Sequence, residues 1–504
     1  MTNRSNELFE IIKSLNPQEK TFFKGYFLKT KDEHTPSFLI LFDAINELAN
    51  YDAQQLKQLL AKKGFRSNYF KAQTYLTEAI LTALTQYHSE TENSIKIGHL
   101  IQQVNILIKK NLFRTAQKYF DRAQKMLDTH TMYEYQSLLD YLRFNFHEKS
   151  QVWMDGYMRD VRTHLKNFEL ETELRKAGSD SLILAIEHYD KQVPEEDIRE
   201  PAAGILDSLD RISKNLRLNN FSKSRFYSTK IQCLMMLKKE KQLAQAITEY
   251  SRFLRGLPAT TAFFARTVLH GLNSIVIALA HLRNFQQIEK TASYAEQYFH
   301  SLPKKICTPD ICSLYYSYIL ENMLAIYNET GQPEKTIDTW DKNKKEILQY
   351  DKKNSTSLYT MNIALGEFMR DDFHRAVRLA NTIPHDPVRP TVQCEAKLLL
   401  VLAHYELENL DILPSLARQA RRAYEKCGML KKADMIFLDF FEKKAGKLFS
   451  RQEKAKAFTD LQDILDRHAL SETHPATGSI DVALWLESKI SGRGYVELIR
   501  KKAG

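Results

Sequence analysis

Apolar residues recur along this chain at intervals of three and four, in stretches separated by short polar turns, and no run alternates in the manner of a strand. The N-terminal part reads as four short helices. Asn16-Pro17-Gln18-Glu19 is a helix start, with Asn as cap, Pro in the first helical position and Glu19 able to reach back to the cap. Phe22, Phe23, Tyr26 and Phe27 then share one face. Pro36 opens a second helix carrying Phe38, Leu39, Phe42, Ile45 and Leu48. Asp52 caps a third, with Leu56, Leu59 and Leu60 inward and Gly64 as its stop. A longer helix follows over about residues 69–87, with Tyr75, Leu76, Ala79, Ile80, Ala83 and Leu84 on one side.

From about residue 95 the pattern changes to paired helices. A polar turn is followed by an aromatic or Leu, then a small or apolar anchor, then spaced apolar positions. Phe113 leads to Ala116, Phe120 and Ala123; Leu243 to Ala246, Tyr250 and Phe253. Phe285 leads to Ile288, Ala292 and Ala295; Pro333 to Thr336 and Trp340; Phe373 to Ala376 and Ala380. Small residues let antiparallel helices approach closely, and the large residue four positions on fills the groove against the next pair. The pattern resembles the second helix of a tetratricopeptide repeat, with its Ala-x3-Phe signature, and Tyr327 sits nine residues before Thr336 as that family's Tyr does. The anchors at 246, 288, 336 and 376 are 42, 48 and 40 residues apart, longer than the roughly 34 of that repeat. The ends, Ser14-Leu-Asn-Pro-Gln-Glu-Lys-Thr-Phe-Phe-Lys and Trp485-Leu-Glu-Ser-Lys-Ile, look like those of uncharacterised bacterial helical-repeat proteins. This resemblance implies a solenoid and a bacterial cytoplasmic setting, and brings no catalytic residues with it. The expected fold class is therefore all-α: a right-handed α-solenoid of tetratricopeptide-like helix pairs with repeats of about 40 residues. Its expected parts are an N-terminal helical cap domain (1–90), a repeat array (91–470) and C-terminal capping helices with a basic tail (471–504). The register between about 130 and 240 stays open.

Composition supports the helical reading. Only 16 glycines and 13 prolines occur in 504 residues, a shortage of turn-formers that argues against β-rich or loop-rich folds. The apolar runs are shorter than the roughly 18–20 residues that span a bilayer, so no membrane insertion is expected. The polar N-terminus carries no secretory signal pattern. Five scattered cysteines without a CxxC fit a reducing cytoplasm.

Catalytic signatures are missing: no phosphate-binding GxxxxGK[ST], no GxGxxG, no GxSxG, and His147-Glu148 lacks the second histidine of HExxH. No cofactor and no metal is implied. Cys307 and Cys312 read as small buried residues rather than ligands.

Charge changes the picture more. The net charge is +10, and the excess falls almost wholly beyond residue 90. Residues 211–239 hold Arg211, Lys214, Arg217, Lys223, Arg225, Lys230, Lys238 and Lys239 with no acidic residue, interleaved with Phe221, Phe226 and Tyr227. A second cluster comprises Arg418, Arg421, Arg422, Lys426, Lys431 and Lys432. The expected function is a non-catalytic scaffold or adaptor that binds a protein or peptide partner with an acidic segment. Arg217, Lys223, Arg225, Arg418, Arg421 and Arg422 are the candidate contacts. The alternative is an RNA- or ribosome-associated protein whose window 211–239 neutralises phosphates and stacks bases on its rings.

Overall fold

The computed structural model describes residues 2–28, 35–89, 93–130, 133–150, 157–189, 193–215, 220–259, 261–304, 306–350, 356–383, 390–428, 430–448, 450–469 and 480–503. Among them no strand occurs. The chain is all-α, and most helices adjacent in sequence pack against one another in succession. It divides into two compact units, Met1–Glu169 and Leu170–Gly504, with the division inside the 33-residue helix Tyr157–Tyr189.

In the first unit the local signals act as their chemistry requires. The Glu19 N–H donates to Asn16 Oδ1 at 2.9 Å and the Asn16 N–H to Glu19 Oε2 at 2.8 Å, a reciprocal cap on the helix Pro17–Leu28. Asp52 accepts from the N–H groups of Gln54 and Gln55 at the head of Ala53–Lys62. Phe23, Phe27, Phe42, Leu76 and Ile80 close a first core, each worth about 1.5–3 kcal/mol of burial. A second core joins Asn93–Lys109, Phe113–His130 and Tyr133–Ser150, with Ala116 and Ala123 wholly buried and Phe120 nearly so.

One turn recurs in both units. Asn111, Lys238, Arg283, Gly331, Asp371 and Glu408 all adopt a left-handed backbone, φ between 52° and 67°. In each the left-handed residue's N–H donates to the carbonyl three back, and the next N–H to the carbonyl five before it. Examples are Asn111 to Ile108 with Leu112 to Leu107, and Arg283 to Ala280 with Asn284 to Leu279. This is the Schellman closure of a helix C-terminus. Five positions after each turn stands a residue with no exposed surface: Ala116, Leu243, Ile288, Thr336, Ala376 and Leu413. In the second unit the turns fall at 238, 283, 331, 371 and 408, intervals of 45, 48, 40 and 37 residues.

The structure corrects one anchor. The repeat spacing expects the polar turn just before Leu243, at Lys241-Gln242, and the anchor at Ala246. The chain instead turns at Lys238, Lys241 lies inside Glu240–Arg255, and Leu243 holds the anchor position. The two hydrogen bonds hold lysine where glycine is the usual signal. Between 111 and 238 no such turn occurs among the described residues, and the long Tyr157–Tyr189 helix breaks the rhythm there.

The second unit has two apolar cores, one over roughly 231–363 and one over 361–499. The helix Ala262–His281 is long and apolar enough to cross a membrane by length and composition, and 56% of its apolar window is buried inside the protein. At its centre Gly271 meets the preceding helix so closely that a Cβ would lie 2.6 Å from Leu254 Cδ1 and from the Tyr250 hydroxyl.

The C-terminal helices Val482–Ser491 and Tyr495–Ala503 fold back onto this second core. Trp485 is buried and donates from Nε1 to Glu406 at 2.7 Å, while Lys489 Nζ reaches the same carboxylate at 2.5 Å. Arg500 Nε donates to the Gly331 carbonyl at 2.7 Å and its guanidinium approaches Glu334 at 3.6 Å. Any Cβ at residue 331 would come within 2.7 Å of the Arg500 side chain. Lys502 pairs with Asp481 at 2.6 Å, so part of the expected basic tail is engaged within the chain.

Candidate functional site

The basic window centres on the helix Asn220–Met236, which has no solvent face in the usual sense. Ser222, Ser224, Phe226 and Thr229 are buried, as are Ile231 and the run from Cys233 to Met236. Its buried positions fall on two opposite sides, so it is sandwiched between neighbouring helices, with half-exposed positions between those sides. Its cations therefore lie along the protein. Lys223 Nζ sits 5.1 Å from the centroid of Phe253, Arg225 lies 4.7 Å from that of Phe221, and Lys230 5.6 Å from that of Phe226. Such contacts bury the alkyl stems and place each charge over a ring's negative face. Tyr227 stacks on Tyr250 at 5.2 Å, and the Tyr250 hydroxyl shares hydrogen bonds with Ser224 at 2.6 Å and Ser228 at 3.1 Å. Burial pushes the Tyr250 phenol above its ordinary value.

The charge of the window is also met by acids from elsewhere. Arg211 pairs with Glu173 at 3.2 Å, and Lys238 pairs with Glu195. Glu171 is almost wholly buried: the Ser222 hydroxyl donates to it at 2.5 Å and Arg175 Nε lies 3.6 Å away. Burial raises its carboxyl above the usual range, against the opposing pull of Ser222, Arg175 and Arg225. His270 faces water, yet desolvation by the surrounding helices, reinforced by Arg266 and Arg225, holds it below its ordinary value.

Beside this helix runs a groove. The long helix approaches Asn220–Met236 through Gly178, where a Cβ would meet Thr229 Oγ1 at 3.3 Å, and through Ser181, which donates to Gln232 at 2.8 Å. Between it and the next helix in sequence, Glu195–Asn215, lies an open space crossed by the Glu173–Arg211 pair. The space left is about 580 Å³. Ala177, Ile183, Leu184, Pro201, Gly204 and Ile205 line its apolar floor, while Glu173, Lys176, Asp180 and Arg211 stand on the rim. Ile183 is 54% exposed, as is its neighbour Leu182.

The second cluster lies on Leu413–Lys426 and belongs to the other core of the unit. Arg418 reaches Glu442 at 3.5 Å, and Arg421 pairs with Asp439 and, at 3.3 Å, with Glu442. Arg422 points to solvent. Of the six candidate contacts, Lys223 and Arg225 share one helix and Arg418, Arg421 and Arg422 another, whereas Arg217 lies outside the described residues. The groove and Glu171 were not anticipated from sequence. The signal was present as a stripe of Glu171, Leu174, Ala177, Ser181 and Ala185, mostly small residues at helical spacing with one acid among them. Compared with protein-family models, curated proteins and solved structures, the chain matches none.

Proposed function

We propose that this chain is a non-catalytic cytoplasmic scaffold that receives a helix or extended peptide of a partner protein in the groove between residues 173–184 and 201–211. The supporting observation is the groove itself. An apolar floor of small and branched side chains between two helices, rimmed by charges of both signs, suits an amphipathic helix laid lengthwise. We read the succession of helices as a right-handed, tetratricopeptide-like solenoid with units lengthened to about 40 residues. The recurring left-handed turn, with its buried residue five positions on, favours that reading. An acidic segment on the partner would find Lys176 on the rim and, elsewhere on the same unit, the outward-pointing Arg422.

The rings of the basic window favour a protein partner over nucleic acid. Phe226 is buried, and Phe221 and Tyr227 each have one face already taken, by Arg225 and by Tyr250, which leaves less ring surface for a base.

The test is capture of partners by tagged wild-type protein and by Ile183→Asp, in low and high salt, with and without nuclease. Ile183 is exposed, so the variant folds. Proteins retained by the wild type through salt and nuclease, and lost from the variant, are the expected result. Identical captures by both proteins remove the groove from the reading, and material released by nuclease replaces a protein partner with RNA.

A further inference from the structure

The second core of Leu170–Gly504 holds two cysteines that the scaffold reading does not use. Cys394 lies on the helix Pro390–Glu406 and is buried to 1% exposure. Cys427 is the C-cap of the neighbouring helix Leu413–Lys426 and is partly open to solvent. The Cys394 thiol donates to Cys427 Sγ at 3.4 Å, across 33 residues of sequence. The two sulfurs thus stand at van der Waals contact. Covalent S–S bonds measure about 2.05 Å, so bond formation needs an approach of little more than an ångström. The place for that movement is at hand. Cys427 is followed by Gly428 in the left-handed region, φ 68°, where the chain turns away from the helix and a Cβ would touch nothing.

The two sulfurs are chemically unequal. Burial above all, then the adjacent Cys427 and the carboxylates of Glu395 and Asp434, pushes the Cys394 thiol far up, so it stays protonated and inert to solvent oxidants by itself. Cys427 is the sulfur a small oxidant reaches first.

We propose that Cys394 and Cys427 form a reversible disulfide, made by hydroperoxide and undone by cellular thiols. Cys427, as thiolate, attacks one oxygen of the peroxide. The O–O bond breaks, the other oxygen leaves as water or alcohol after taking a proton, and Cys427 becomes a sulfenic acid. Cys394 then attacks that sulfur. The S–O bond breaks, and the departing hydroxide carries off the Cys394 proton as water. In total two thiols lose two electrons, and the peroxide gains them. Reduction runs by attack of a cellular thiolate on the more open Cys427 sulfur, with Cys394 leaving and regaining its proton; a second thiolate then attacks the sulfur of the first, the mixed disulfide breaks, and Cys427 is released as thiolate while the two small thiols leave as their disulfide.

The product joins two helices that already pack side by side and closes a 33-residue span. Tyr424, one turn before Cys427, lines a cavity of about 180 Å³ together with Leu398, one turn beyond Cys394. The disulfide therefore ties together two walls of that cavity.

The full-length protein is treated with a small excess of hydrogen peroxide, alkylated, digested without reductant and read by mass spectrometry. The expected result is a peptide pair linked through residues 394 and 427, two hydrogens lighter than the separate thiols and released by a dithiol. Cys233, buried with no second sulfur beside it, stays alkylatable after unfolding. The single variants Cys394→Ala and Cys427→Ser provide the complementary reading. Without Cys394, Cys427 accumulates as sulfenic or sulfinic acid; without Cys427, Cys394 remains a thiol. The proposal is overturned if both thiols of the wild type are alkylated in full after oxidation. It is equally overturned if Cys427 is over-oxidised or joined to glutathione at the same rate whether or not Cys394 is present.

Discussion

The two basic segments look alike in sequence and are built differently. On Asn220–Met236 the cations lie over aromatic rings of the same or the next helix, on a helix buried along two opposite sides. On Leu413–Lys426 only Leu413, Ala417 and Ala420 are buried, and the cations reach across to carboxylates of Lys432–Lys443. One segment hides its positive stems against hydrocarbon; the other neutralises its charges with ion pairs at the surface. A count of lysines and arginines reads the same in both cases, because it registers charge and not direction. What separates the two is the residue type between the cations. Ser, Thr and Phe at successive buried positions indicate close packing on several sides, whereas Ala at intervals of three indicates a single contact stripe.

The strongest way to break this contrast is at Tyr250, the ring on which the first segment rests. Tyr250→Ala removes a fully buried aromatic, its stack on Tyr227 and both serine hydrogen bonds, and is expected to cost about 3–5 kcal/mol in chemical denaturation. A loss below about 1 kcal/mol contradicts the packing described for that helix.

Paired charge substitutions come next. Arg421→Glu sets a third carboxylate beside Asp439 and Glu442, with an expected loss of about 1–2 kcal/mol that shrinks as salt rises, since these groups are partly exposed and screened. Lys223→Met keeps its stem on Phe253 and gives up only the cation–ring attraction. Its expected change is within about 0.5–1 kcal/mol and nearly indifferent to salt. Equal salt responses from the two variants erase the distinction between the segments.

The smallest effect is one of pH. Because burial raises the folded-state pKa of Glu171 above the unfolded value near 4.5, the folded protein holds that proton more tightly. Its contribution to stability is then fully present below 4.5 and is lost as pH rises through the folded pKa. Glu171→Gln keeps an acceptor for Ser222 and cannot ionise. The variant's stability relative to wild type is expected to rise between pH 4 and pH 7, and a relative fall reverses the assigned cause.

Much of the fold was legible because its signals are local. The Asn16–Glu19 box, the Asp52 cap, the Gly64 stop and the helix near residues 69–87 each depend on residues within a few positions of one another. The repeated turn was only half legible. At Lys238, Arg283 and Glu408 the left-handed conformation is held by backbone hydrogen bonds in residues that sequence rules assign to helix, against a cost of about 1–2 kcal/mol each. The site was not legible, because its partners are remote. Glu171 meets Ser222 across 51 residues and Cys394 meets Cys427 across 33, and no local pattern encodes either meeting.

Arg500 grips the carbonyl of a residue 169 positions earlier. A stack whose units touch only their neighbours melts by fraying inward from a loose end. Here the last helix is fastened back to the turn at Gly331, so the stretch between them is a circuit rather than a strip. Fraying from that end has to release Arg500 from Gly331 as well as Trp485 and Lys489 from Glu406. Amide exchange from residue 331 to the helix Tyr495–Ala503 is accordingly expected to slow as one block, and Arg500→Ala to speed exchange at the Gly331 turn and in that helix first.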